Sequence, residues 1–179
     1  WPMGELRGVG YEGDDITYVC FSPDGNYLCA LSQNASVGLT RIRMWNKVVG
    51  SCGYFESDFD DADDHDLSAW RVYFSPVETL LVSLYDDENS DSNMVRVWEV
   101  QPEGLVFKFE LQLDEEEDIN GCTFSPDGRQ LIIYNTPNTM RIFSVSDASL
   151  IKVTRLIYDM EMIDFIGMTT DGRKVACID

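Results

Sequence analysis

The feature that most constrains this chain is a recurrence. Phe21-Ser22-Pro23-Asp24-Gly25 returns as Phe74-Ser75-Pro76, returns complete as Phe124-Ser125-Pro126-Asp127-Gly128, and closes in a worn copy, Met168-Thr169-Thr170-Asp171-Gly172. Successive copies begin 53, 50 and 44 residues apart. An apolar run precedes each copy and a second follows shortly after it. Beyond the first three copies comes a basic-apolar run that ends in an aromatic: Arg43-Met44-Trp45, Arg96-Val97-Trp98 and Arg141-Ile142-Phe143.

Units of this length built only from short strands predict an all-β chain, with each unit a blade of a β-propeller. Ile16-Thr17-Tyr18-Val19-Cys20-Phe21 reads as the first strand, rich in β-branched and aromatic residues. Ser22-Pro23-Asp24-Gly25 turns the chain: proline fixes φ early in the turn, and Asp-Gly supplies a side-chain acceptor and a permissive φ. Tyr27 to Leu31 is apolar almost throughout, as a strand covered on both faces would be. Leu39 to Trp45 alternates, with Ile42 and Met44 on one side and Arg41, Arg43 and Trp45 on the other. A fourth strand is expected between Val48 and Phe55.

The second unit runs through strands at 70–74, 79–84, 94–98 and 105–109, the third through 119–124, 130–134, 140–145 and 150–156. The fourth starts near Met162 and stops in Lys174 to Ile178. The expectation is one propeller domain over 1–179, with units at about 16–56, 66–110, 119–157 and 162–179, three and a half four-stranded blades.

Charge gathers between these strands. Seven acids lie between Glu56 and Asp66, Asp86 to Asp91 is a second acidic insert, and Asp114 to Asp118 is an unbroken run of five. Such densities repel themselves and predict solvated loops. With 32 acids against 13 bases the net charge is −19, and the Lys and Arg residues are scattered. Nucleic-acid backbones and anionic membranes are therefore disfavoured as partners, and no run approaches the roughly 18 apolar residues of a spanning helix. The start, Trp1-Pro2-Met3-Gly4-Glu5, lacks both an initiator Met and the build of a signal peptide.

The quoted turns and strand ends resemble WD-repeat β-propellers from about residue 16 onward. The resemblance implies a histidine about nine residues before the turn Phe, and His65 lies there relative to Phe74. In that family it joins a buried network with Ser or Thr, Asp and the strand Trp. The other units lack it, and Leu39, Ser92 and Pro137 stand where the network's Asp is expected. These blades are therefore expected to rest on packing more than on the network. The family closes its propellers with more blades than are present here. The remaining blades are expected from a longer chain or from a partner.

No catalytic, cofactor-binding or metal-ligating residue is assigned, and no cofactor is expected. His65 is the sole histidine and reads as structural or as part of a solvated loop; its catalytic use would depend on Asp64 or Asp66. The acids offer oxygen ligands, but Asp58 to Asp64 lacks the glycine and terminal Glu of a calcium loop. The five cysteines, Cys20, Cys29, Cys52, Cys122 and Cys177, have no metal-ligand spacing and read as reduced thiols. Trp45, Trp98 and Phe143 are expected to pack between blades, with Arg43, Arg96 and Arg141 bracing carboxylates beside them. The functional expectation is a non-catalytic scaffold in a multisubunit complex, binding protein or peptide partners, basic ones at its acidic loops, in the cytoplasm with the nucleus as the alternative. A second reading is an accessory propeller of an enzyme whose catalytic residues lie outside this segment.

Overall fold

The computed structural model describes residues 14–34, 39–46, 67–77, 79–87, 93–102, 104–113, 118–135, 139–155 and 165–178. They form thirteen strands and, among the described residues, no helix. The first sheet holds β1 (Asp14–Phe21), β2 (Tyr27–Asn34) and β3 (Leu39–Asn46). The second holds β4 (Leu67–Phe74), β5 (Leu80–Asp87), β6 (Asn93–Gln101) and β7 (Gly104–Gln112). The third holds β8 (Ile119–Phe124), β9 (Gln130–Asn135), β10 (Thr139–Ser144) and β11 (Leu150–Arg155). β12 (Phe165–Met168) and β13 (Val175–Ile178) pair as a fourth. Every sheet is antiparallel and ordered as the chain runs.

The sheets stack face to face because their middle strands are apolar on both sides. In β5, Leu80, Val82 and Leu84 enter a core shared with Cys122, Leu131 and Ile133 of the third sheet. The alternate residues Leu81 and Tyr85 enter a core shared with Cys29, Leu31, Ile42 and Met44 of the first. β9 splits likewise, with Ile132 and Tyr134 turned to Met168 and Val175 of the fourth. A period of two in side-chain direction thus becomes a period of two in neighbouring sheet. The first strands of the sheets lie on one side of the stack, with β1 against β4 and β8 against β12.

Three registers superpose. Trp45 sits opposite Leu28, Trp98 opposite Leu81 and Phe143 opposite Leu131. The expected strands that fall on described residues are present, with one difference. The second strand of unit two runs through Asp86 and Asp87, which were expected to open an acidic loop: pairing of Asp86 with Asn93 and Ser68 extends the ladder past the apolar residues. Thr40 to Asn46 is buried throughout, so the two sides that alternate in β3 are both covered. The fourth strand expected between Val48 and Phe55, and His65 with the acids around it, lie outside the described residues.

Backbone strain separates two turns. Gly25 has φ of 68° with nothing within 4 Å of an added Cβ, whereas Ala148 holds φ of 59° with a side chain. Left-handed strain of roughly 1–2 kcal/mol acts against a change in unfolded-chain entropy of about 0.4–1 kcal/mol. Gly25→Ala is therefore expected to cost about 1 kcal/mol and Ala148→Gly to gain about 0.5 kcal/mol. Urea midpoints measure both, and equal signs for the two variants would refute the assignment.

Candidate functional site

Antiparallel order gives the stack two unlike rims. At one rim β1, β8 and β12 end in the recurring turn. The Ser22 hydroxyl donates to Asp24 Oδ1 at 2.6 Å and accepts the Tyr27 amide at 2.9 Å, while the Gly25 amide donates to the Ser22 carbonyl at 2.9 Å. Ser125, Asp127 and Gln130 repeat this at 2.5 and 3.0 Å, and Thr169, Asp171 and Lys174 at 2.5 and 3.1 Å. The worn fourth copy is structurally intact because threonine supplies the same hydroxyl as serine. The turn after β4, where Pro76-Val77 replaces Pro-Asp-Gly, shares the backbone closure, from the Ser75 amide to the Leu80 carbonyl at 2.9 Å. Each turn aspartate is held below the usual carboxylate range, first by the hydroxyl and next by a backbone amide.

The other rim carries the strand ends that flank the acidic segments. Exposed Asp15 lies near the start of β1, exposed Asp86 near the end of β5, and exposed Asp118 just before β8. The Asn93 amide nitrogen donates to Asp118 Oδ1 at 3.3 Å, tying the start of β6 to the entry into the third sheet. Residues 88–92 and 114–117, themselves outside the described residues, are bounded by these ends and add Glu88, Asp91, Asp114, Glu115, Glu116 and Glu117 to the sequence there.

Between the rims lies the aromatic row. Trp98 is buried against the first sheet and donates Nε1–H to Ser83 Oγ at 2.7 Å. Phe143 packs against the second sheet, and both therefore lie between sheets as expected. The Ser83–Trp98 hydrogen bond means that the second unit does not rest on packing alone. Ser83 pairs with Arg96 in the register; Ala30 and Ile133 hold the equivalent places beside Arg43 and Arg141 and have no hydroxyl to offer. Trp45 Nε1 is buried with no partner among the described residues. Arg96 does brace a carboxylate, Glu110 on β7 at 2.9 Å, and its guanidinium lies 5.2 Å from the Tyr85 ring centre.

Three thiols, Cys20, Cys29 and Cys122, lie in or beside the cores. Cys20 and Cys29 face each other across β1 and β2. Their mutual hydrogen bond, together with burial, raises the Cys29 pKa well above its ordinary value, while the same bond lowers that of Cys20 against the opposing effect of burial. Burial pushes the Cys122 thiol up. All three are free, and among the described residues no three His, Cys, Asp or Glu side chains group to hold a metal ion. Sequence reasoning missed Ser83 and Glu110; only strand register places them beside Trp98 and Arg96.

Comparison with known proteins agrees with this geometry. Residues 4–46 match the WD40 family model, described as WD domain, G-beta repeat. The fold is similar to the β-propeller domain of Cps50 (Swd1) from Myceliophteria thermophila, with a TM-score of 0.65 and 16% identity over 96% of this chain. The chain spans about half the length of that structure, 50%. No curated protein matches it. The chain thus has the fold of a WD-repeat β-propeller.

Ser83→Ala leaves a buried indole N–H without its acceptor and is expected to cost about 1–3 kcal/mol in denaturant unfolding. Ala30→Ser, which places a hydroxyl at the matching site beside Trp45, is expected to be neutral or stabilising; a cost equal to that of Ser83→Ala would refute the register equivalence. Asp127 is depressed, so its contribution to the turn is full above the unfolded value of about 3.9 and is lost as pH falls through the lower folded value. A carboxyl NMR titration is expected to place Asp127 below that value, and Ser125→Ala to move it up. No movement would remove the hydroxyl as the cause.

Proposed function

We propose that this chain is a non-catalytic interaction scaffold whose acidic rim docks a basic protein or peptide segment within a multisubunit assembly. The gathering of Asp15, Asp86 and Asp118 at the rim where strand ends flank the acidic segments carries this reading. Loops held by rigid strands suit recognition, and charge of one sign speeds encounter with an opposite partner and repels the wrong one.

A second element of the proposal concerns the face of the first sheet turned away from the second. Phe74 and Phe124 pack into the cores between sheets, the latter 6% exposed, yet their counterpart Phe21 is 57% exposed beside Val19 at 56%. Another blade of the same propeller, from a longer polypeptide or a partner chain, covers this face, since closure is how propellers protect their edges.

One experiment addresses both. The mass of the native assembly is compared with that of the isolated 20.4 kDa chain, and partners are quantified with the wild-type chain and with Asp114 to Asp118 reversed in charge. A larger native assembly, and partners lost with a weaker salt dependence on reversal, are expected. A stable, folded, isolated monomer would overturn the covering blade. Partner binding and salt dependence unchanged by reversal would overturn the acidic rim.

A further inference from the structure

Cys20 of β1 and Cys29 of β2 are directly opposite in register. Residues so placed have Cα atoms about 4.5–5.5 Å apart, inside the span of roughly 4.4–6.8 Å that a disulfide bridges. Opposed residues also project to one face of their sheet, and both sulfurs accordingly meet the core between the first and second sheets. The two thiols share a hydrogen bond, and both are free. The fold has no need of thiols at this place. Counting back from the aromatic before each turn, the matching pairs are Tyr73 with Val82 and Thr123 with Ile132. Cys122 stands opposite Ile133, so among the described residues Cys20 and Cys29 are the one opposed pair of thiols.

The two sulfurs are also unlike. Cys29 is fully buried, whereas Cys20 is only partly so. Their hydrogen bond favours the Cys20 thiolate, with Cys29 keeping its proton as the donor. A partly exposed thiol with thiolate character is the one an oxidant attacks, and a buried thiol held against it is placed to resolve the product. Val19 and Phe21 turn to the opposite face, the one assigned above to another blade.

We propose that Cys20 and Cys29 form a reversible oxidation site, converted by a peroxide into a disulfide that staples β1 to β2. The Cys20 sulfur attacks one peroxide oxygen, forming an S–O bond as the O–O bond breaks, and the departing hydroxide takes up the Cys20 proton to give water. The Cys29 sulfur then attacks the sulfenic sulfur: the S–S bond forms, the S–O bond breaks, and a second water leaves with the Cys29 proton. The two sulfurs lose two electrons in total and the peroxide gains them. β1 is the strand with most to gain from a staple, since it ends its sheet and is hydrogen-bonded to β2 alone among the described strands.

The test treats the full, folded chain with hydrogen peroxide, blocks the remaining thiols with iodoacetamide under denaturing conditions, and weighs the tryptic peptides. Residues 8–41 form one such peptide, which holds Cys20 and Cys29 and no other cysteine. Its doubly alkylated form is expected to give way to an unalkylated form lighter than the dithiol by two hydrogens, and dithiothreitol to reverse the change. In Cys29→Ser, dimedone is expected to trap a sulfenic acid at Cys20; in Cys20→Ser, Cys29 is expected to stay unmodified. Amide hydrogen exchange along β1 is expected to slow about tenfold or more in the oxidised wild-type chain. A peptide that stays doubly alkylated, a bridge from either residue to Cys52, Cys122 or Cys177, a dimedone adduct at Cys29, or β1 exchange unchanged by oxidation would each overturn the proposal.

Discussion

The structure depends on strands that are apolar on both faces and therefore need two neighbours. β5 makes the constraint plain: Leu80, Val82 and Leu84 go to one adjacent sheet, and Leu81 and Tyr85 to the other. A strand of this kind cannot end a stack without leaving a face uncovered. Each sheet is thus a poor independent unit, and the free energy of the fold lies largely in the cores between sheets. The Ser83–Trp98 link is set within those cores and is tolerated there because the buried indole N–H finds an acceptor.

That constraint also explains how far the repeats can decay. Serine at 83, alanine at 30 and isoleucine at 133 occupy one register position in three sheets, and all three sheets form. What stays constant is the neighbouring pair, an aromatic opposite a leucine each time. The turns decay by a different rule. Their function is to close five residues of backbone, so a hydroxyl at the first position and an Asp-Gly pair are retained in three of them. The turn after β4 keeps the closure without an Asp-Gly pair, and Phe74 just before it packs against the core between the first two sheets.

Local chemistry was legible in the sequence, and cross-strand chemistry was not. Ser22-Pro23-Asp24-Gly25 could be read as a turn because every group it needs is within five residues. Trp98 and Phe143 could be placed between sheets from their repeat position alone. Glu110 as the partner of Arg96 could not be read, since β6 and β7 carry a bulge between Val97 and Trp98 that shifts the pairing. Asp86 and Asp87 were misleading for a related reason. Charge predicts solvent, and a strand end at a rim meets solvent while still keeping its ladder bonds.

The placement of charge follows from the same architecture. Carboxylates at the turn rim are occupied: each of Asp24, Asp127 and Asp171 accepts a hydroxyl and a backbone amide, so much of its acceptor capacity is spent within the turn. Carboxylates at the opposite rim have no such recurring motif to engage them. A hydrogen-bonded aspartate keeps its charge, and the lowered pKa of Asp24, Asp127 and Asp171 keeps them ionised, so both rims carry charged carboxylates. The rims differ in geometry: each carboxylate of the turn rim is fixed by its own turn, whereas Asp15, Asp86 and Asp118 stand at strand ends beside the acidic segments. One repeating turn therefore sets the direction of the carboxylates at one rim and leaves those of the other to the strand ends that carry them.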